Sequence, residues 1–224
     1  MAAVALVRLE RLVGLAAVGL AVAANATTWL LKATLPRPDL GVEEITPATL
    51  NSMPSGHSTA VFSAVAALLF VLPRRWRRPA ALTGGAASVL VALATMSAGW
   101  HRAGDSMAGF FVVGFWSAFS AGVVVALEPP DRMVAVSATR VELQEMRWPA
   151  VAALAAGIVG LTFALSLDAM PSLQTTAAGA GAALVAAALL LGGAVVATLL
   201  GILVAFDLAG PRTGEARDRG SSAR

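Results

Sequence analysis

Apolar residues run in six long stretches, roughly Leu12–Leu31, Ser58–Leu72, Pro79–Ala98, Ser106–Leu127, Pro149–Leu167 and Thr176–Phe206, separated by polar connections. None alternates with the period of two that a half-buried strand requires. Ala, Val, Leu and Gly dominate them, so each reads as a helix. A helix needs about 20 apolar residues to cross the hydrocarbon core of a bilayer. The second stretch is short for that, which places the start of its helix earlier, near Ser55. The sixth is about 45 Å long as a helix, so it must tilt, bend or run into the interface. The pattern predicts an all-α, polytopic membrane bundle of about six transmembrane helices.

Composition strengthens this reading. Hydrophobic residues make up 58% of the 224 residues and charged residues 13%, with a mean hydropathy of +0.77, outside the range of a soluble domain. No cysteine is present, which removes disulfides and Cys-based metal sites. A pI near 10.9 would suit nucleic acid, but the net charge is only +3 and the basic residues fall between apolar runs. Nucleic acid is excluded as a partner.

The placement of those basic residues gives an orientation. Arg8 and Arg11, the run Arg74-Arg75-Trp76-Arg77-Arg78, then Arg132, Arg140 and Arg147, and finally Arg212, Arg217, Arg219 and Arg224 all fall on one side. That side is cytoplasmic and holds both termini. Only Lys32, Arg37 and Arg102 face the other way, and an anionic ligand would account for basic residues kept there. The first run, with Arg8 and Arg11 before it and Ala24-Asn25-Ala26 near its end, imitates a cleavable signal peptide. Trp29-Leu30-Leu31 extends it to span length, so it is read as a retained span. The sequon Asn25-Ala26-Thr27 lies inside that span and is read as chance.

Chemistry concentrates in two short stretches on the outer side. Met53-Pro54-Ser55-Gly56-His57 and His101-Arg102-Ala103-Gly104-Asp105 hold both histidines of the chain. Ser55 can cap the second helix and Gly56 admits a ligand close to the backbone. The free N–H groups of such a first turn suit a phosphate, although the same pattern also describes an ordinary capped helix start. His101 and Asp105 share a helix face if the fourth span begins near His101. Asp105 could then accept one ring N–H and leave the other nitrogen free to attack, or the two could be a plain polar pair at a helix end. Lys32 ends the first span, either as a phosphate ligand or as a lysine snorkelling to the interface. Trp29 and Trp100 read as interfacial anchors. A metal site would need a further ligand cluster that is not visible.

At these residues the chain resembles the membrane-bound phosphatidic acid phosphatase type 2 family over roughly Leu12 to Leu127. The family's signatures are a Lys followed by Arg-Pro, then Pro-Ser-Gly-His, then Ser-Arg upstream of His-x-x-x-Asp. Pro54-Ser55-Gly56-His57 stands intact, and His101 and Asp105 are followed by Ser106-Met107-Ala108-Gly109 in family style. The resemblance implies that His101 is the nucleophile, forming a phosphohistidine, with Asp105 orienting it and His57 protonating the leaving group. Lys32, Arg37, Ser55 and Gly56 would hold the phosphate, with no metal and no cofactor. Three departures stand out. Thr95 occupies the place of the family's arginine, leaving Arg102 as the nearest substitute. The gap between Lys32 and Arg37-Pro38 is shorter than the family's. The chain also begins with the helix that ends in the lysine and adds two spans after the core.

The resulting division is a phosphatase-like core over 1–127, a cytoplasmic connection over 128–148 that is either interfacial or solvated, two further spans over 149–209, and a disordered tail over 210–224. The expected function is hydrolysis of a lipid phosphate or polyprenyl (pyro)phosphate on the extracytoplasmic face of the cell membrane. Its partners would be the phosphorylated lipid and the bilayer, and the Gly/Ala-rich sixth span suits helix association, including a homo-oligomer. The rival reading, favoured by Thr95 and by Asp39 in the place of the family's Arg-Pro arginine, is a degenerate relative that binds a phosphorylated lipid or assembles with other membrane proteins without turnover. A transporter is disfavoured because no span interior carries a charge.

Overall fold

The computed structural model describes residues 2–35, 52–127, 136–168 and 176–209. Arg37, the acidic residues of the first connection and the tail from Gly210 lie outside the described residues. Among the described residues six helices follow in order: α1 Ala2–Thr34, α2 Gly56–Val71, α3 Arg74–Ser97, α4 Ala103–Leu127, α5 Val136–Asp168 and α6 Ala177–Ala209. No strand occurs among the described residues. Five of the helices are long and apolar enough to cross a membrane. The exception is α2, whose 16 residues span about 24 Å. The protein is a polytopic helical membrane bundle.

Local sequence sets the helix ends near the predicted site. Ser55 caps α2, its side chain accepting the N–H of Ser58 at 3.3 Å, as the sequence predicts. At the other end Leu72 is extended, which Pro73 behind it enforces, and α3 starts at once. The C-terminus of α3 closes on Gly99, whose φ of +72° is costly for any residue with a Cβ. The N–H of Gly99 reaches Met96 O at 2.9 Å and that of Trp100 reaches Thr95 O at 3.0 Å, the paired bonds of a Schellman cap.

Two helix starts refine the sequence reading. The charged stretch before Pro149 belongs to a single helix, α5, which begins at Val136 and carries Pro149 inside. Glu142, Leu143, Gln144, Glu145 and Met146 are all strong helix formers, so the helix runs through what reads as a connection. The other is α4, which starts at Ala103, just after both His101 and Arg102. His101 therefore lies in the turn before the helix and not on its face.

Small residues let the helices approach closely. Phe62 of α2 meets Phe110 of α4 edge-on at 4.9 Å, and Phe70 of α2 stacks on Phe206 of α6 at 4.1 Å. Leu191, Leu199 and Phe206 place α6 in one core with α1 to α4. By contrast, α5 packs on α6 alone among the described helices. There the backbones nearly touch, since a Cβ on Gly193 would lie 2.7 Å from Ala153 O. Lipid solvates apolar side chains as well as another helix does, so such contacts rely on close backbone approach. The opposite faces, including Leu82, Leu90, Phe115 and Leu154, are exposed, as a bilayer requires.

Gly193→Ala is expected to lower the melting temperature in detergent, at an overpacking cost of about 1–3 kcal/mol. Gly192→Ala, whose Cβ would meet nothing within 4 Å, is expected to leave it unchanged. Equal melting temperatures for the two variants would contradict the α5–α6 contact.

Candidate functional site

Four helix ends meet at one end of the bundle: the C-termini of α1 and α3 and the N-termini of α2 and α4. The tie between α2 and α4 is a backbone bond, from Ser55 N–H to Asp105 O at 2.8 Å. Below it Ser58 donates to Ser106 at 2.9 Å, with both hydroxyls buried. Gly109 makes this approach feasible, because a Cβ there would lie 2.8 Å from Thr59 Oγ1 and 3.1 Å from Ser55 O. Further down, hydroxyls and amides join α1 to the same pair. Thr28 meets Thr59 at 3.0 Å, Asn25 donates to Ser63 at 3.0 Å, and Trp116 of α4 donates to Thr27 at 3.0 Å. Asn25, read from sequence as a chance sequon, is thus a contact between spans. Each such bond contributes about 0.6 kcal/mol in a membrane, so the seam is held by their number.

The predicted residues gather around this joint. His57 and His101 stand with ring centroids 5.8 Å apart at an interplanar angle of 63°. A Cβ on Gly56 would lie 3.6 Å from Lys32 Nζ, so the lysine ends over the first turn of α2. The backbone of that turn faces it, and N–H groups at a helix start have no carbonyl behind them within the helix. Lys32, His57, His101 and the Ser55–Gly56 backbone therefore share one locality. Arg102 is exposed and sits immediately before α4, where its backbone N–H donates to Asp105 Oδ2 at 2.9 Å. Asp105 thus caps its own helix from the third position, half of a capping box.

His101 is held at its backbone and faces Asp105 with its ring. Its backbone N–H reaches Thr95 O at 3.3 Å, so the ring rides on the end of α3. Its Nδ1 lies 3.7 Å from Asp105 Oδ2 on α4, beyond hydrogen-bond distance, and that buried nitrogen has no hydrogen-bond partner among the described residues. Closing the gap takes less than an ångström, and such contacts are often long before a ligand tightens them. Thr95 contributes only its carbonyl, since its hydroxyl turns back to Ala92 O at 3.0 Å. No cationic side chain stands at that position.

Residues 11–128 match the PAP2 superfamily. The chain belongs to that superfamily. Its general chemistry is the hydrolysis of phosphate esters, and the matched segment agrees with the extent of the resemblance read from the motifs. No curated protein and no solved structure matches the chain.

Sequence reasoning missed two members of this locality. Ser52 is buried and donates a short hydrogen bond to Asp105 Oδ2. A lone serine ahead of Pro54 carries no periodicity or cap signal that would mark it. Trp100, read as an interfacial anchor, is half exposed and also packs its ring 5.7 Å from that of His57. Its position next to His101 was the available signal. Among the described residues no group of three or more His, Cys, Asp or Glu is placed to hold a metal ion.

The joint can be tested covalently because the chain has no cysteine of its own. With Ser58 Oγ and Ser106 Oγ at 2.9 Å, the double variant Ser58→Cys, Ser106→Cys is expected to form an intramolecular disulfide under mild oxidation. Intact mass would show the loss of two hydrogens. Two free thiols after oxidation would mean that α2 and α4 do not meet there.

Proposed function

We propose that the protein hydrolyses a lipid phosphate or polyprenyl (pyro)phosphate, with His101 as nucleophile and a phosphohistidine as intermediate. One observation carries the reading: Lys32, His57 and His101 converge on the first turn of α2, with the Asp105 carboxylate behind His101. A phosphoryl group in transfer spreads negative charge over its oxygens and needs positioned donors more than new covalent chemistry. Lys32 and the N–H groups at Gly56 supply such donors beside a helix N-terminus.

In this mechanism His101 Nε2 attacks phosphorus while Nδ1 keeps its proton toward Asp105. The bond from phosphorus to the lipid oxygen breaks, and His57, protonated at that point, gives its proton to the leaving oxygen. Neutral His57 then takes a proton from water as that water attacks the phosphohistidine. Cleavage of the N–P bond returns His101 and releases phosphate. For a diphosphate the leaving group is the lipid monophosphate and the steps are otherwise the same.

The site is assigned to the extracytoplasmic side. Arg74, Arg75, Arg77 and Arg78 open α3, whereas the site gathers at that helix's other end, and clustered arginines mark the cytoplasmic face. Arg37, outside the described residues, is proposed as a further phosphate ligand from the same side. Arg102 is proposed in place of the arginine that Thr95 lacks, because α4 begins after it and leaves its side chain free of helical projection. Thr95 also favours a second reading, a relative that holds a phosphorylated lipid without turning it over.

The deciding measurement is phosphate release by the purified protein in detergent from phosphatidate, a lysolipid phosphate and a polyprenyl diphosphate, beside His101→Ala. Release is expected to fall roughly a thousandfold or more in that variant. Acid-labile, base-stable phosphate trapped on the wild-type chain should be lost with it. Lipid retained equally by both proteins, with release from neither, would replace the hydrolase by the binding reading.

A further inference from the structure

Asp105 is gripped by the segment ahead of α2 at two points. Ser55 N–H bonds its carbonyl at 2.8 Å, and the Ser52 hydroxyl bonds its carboxylate oxygen Oδ2. That same Oδ2 accepts Arg102 N–H at 2.9 Å and is the oxygen 3.7 Å from His101 Nδ1. Ser52 is 4% exposed and Asp105 4%, so the arrangement is shielded from competing water. The proposed mechanism gives Ser52 no part.

We propose that Ser52 is a positioning residue for His101 that acts through the Asp105 carboxylate, an inference that rests on reading His101 as the attacking group. Two donors on separate pieces of chain hold Oδ2, and turning the carboxylate breaks both bonds. Oδ2 therefore stays facing Nδ1. Because His101 Nδ1 is buried and has no hydrogen-bond partner among the described residues, a proton on it has Asp105 Oδ2 as the acceptor it faces. The neutral ring consequently keeps its proton on Nδ1 and presents the Nε2 lone pair for attack. Which nitrogen carries the proton is set by what the other can bond. Without the Ser52 hydroxyl the carboxylate loses one of the donors that hold Oδ2 toward Nδ1, and the preference for one tautomer relaxes.

The full-length chain holds two histidines, so labelling with 15N-histidine in micelles gives two imidazole signal sets, assigned with His57→Gln. At a pH where both rings are neutral, wild-type His101 is expected to show the Nδ1–H pattern. Ser52→Ala should move its ring nitrogens toward the average of the two tautomers. Ser52→Cys, which keeps the volume but donates weakly, should move them in the same direction, and Ser52→Thr should restore the wild-type pattern. In an Asp105→Asn background Ser52→Ala should add no further change. In turnover, Ser52→Ala should lower kcat by about tenfold with KM changed less than about twofold. An unchanged tautomer in both Ser52→Ala and Ser52→Cys would overturn the assignment. If wild type releases no phosphate from any lipid, the functional reading fails by itself and the ring spectra still decide the role of Ser52.

Discussion

The hydrogen bond from Ser55 N–H to Asp105 O brings the starts of two helices to a single point, and the predicted site follows from that. A buried backbone donor left unpaired costs about 1–3 kcal/mol, so the segment ahead of α2 is pinned wherever α4 begins. Gly109 and Thr59 then fit against one another because glycine leaves room, and the hydroxyl pair Ser58–Ser106 closes beneath. With α2 and α4 fixed in this way, His57 and Asp105 have fixed starting points. Lys32 reaches the same place because Thr28 and Asn25 bond across to α2 one and two turns before the lysine.

Much of this was legible in the order of residues. Apolar runs of span length have few other uses, so the helical bundle could be read from hydropathy alone. The two polar stretches stood out because charge and histidine are scarce elsewhere. Ser55 as a cap followed from its place before a long apolar helix. Cap chemistry is local, and local chemistry survives in a one-dimensional reading.

What escaped the sequence depended on through-space geometry. His101 sits in a turn because Gly99 closes α3 four residues before α4 begins at Ala103, and hydropathy does not register a left-handed glycine as an end. Ser52 bonds a carboxylate 53 positions away, a pairing without a local signature. The start of α5 at Val136 was hidden for the opposite reason: its charged early turns look like a connection although the run from Glu142 to Met146 favours a helix. Thr95 was visible as a departure from the resemblance. Its use as a carbonyl acceptor for the Trp100 and His101 N–H groups was not.

The two ends that carry His101 and Asp105 belong to α3 and α4, and these helices meet each other only sparsely while both pack on α6. On α6 the neighbours Thr198 and Leu199 sit where Cβ atoms on Gly114 of α4 and Gly85 of α3 would fall, each 2.8 Å away. A helix that lies beyond the superfamily match and holds none of the predicted site residues thus acts as the spacer between the two. Its side chains at 198 and 199 fill the space between α3 and α4, so the two helices whose ends carry the predicted site are braced at mid-length by a third element.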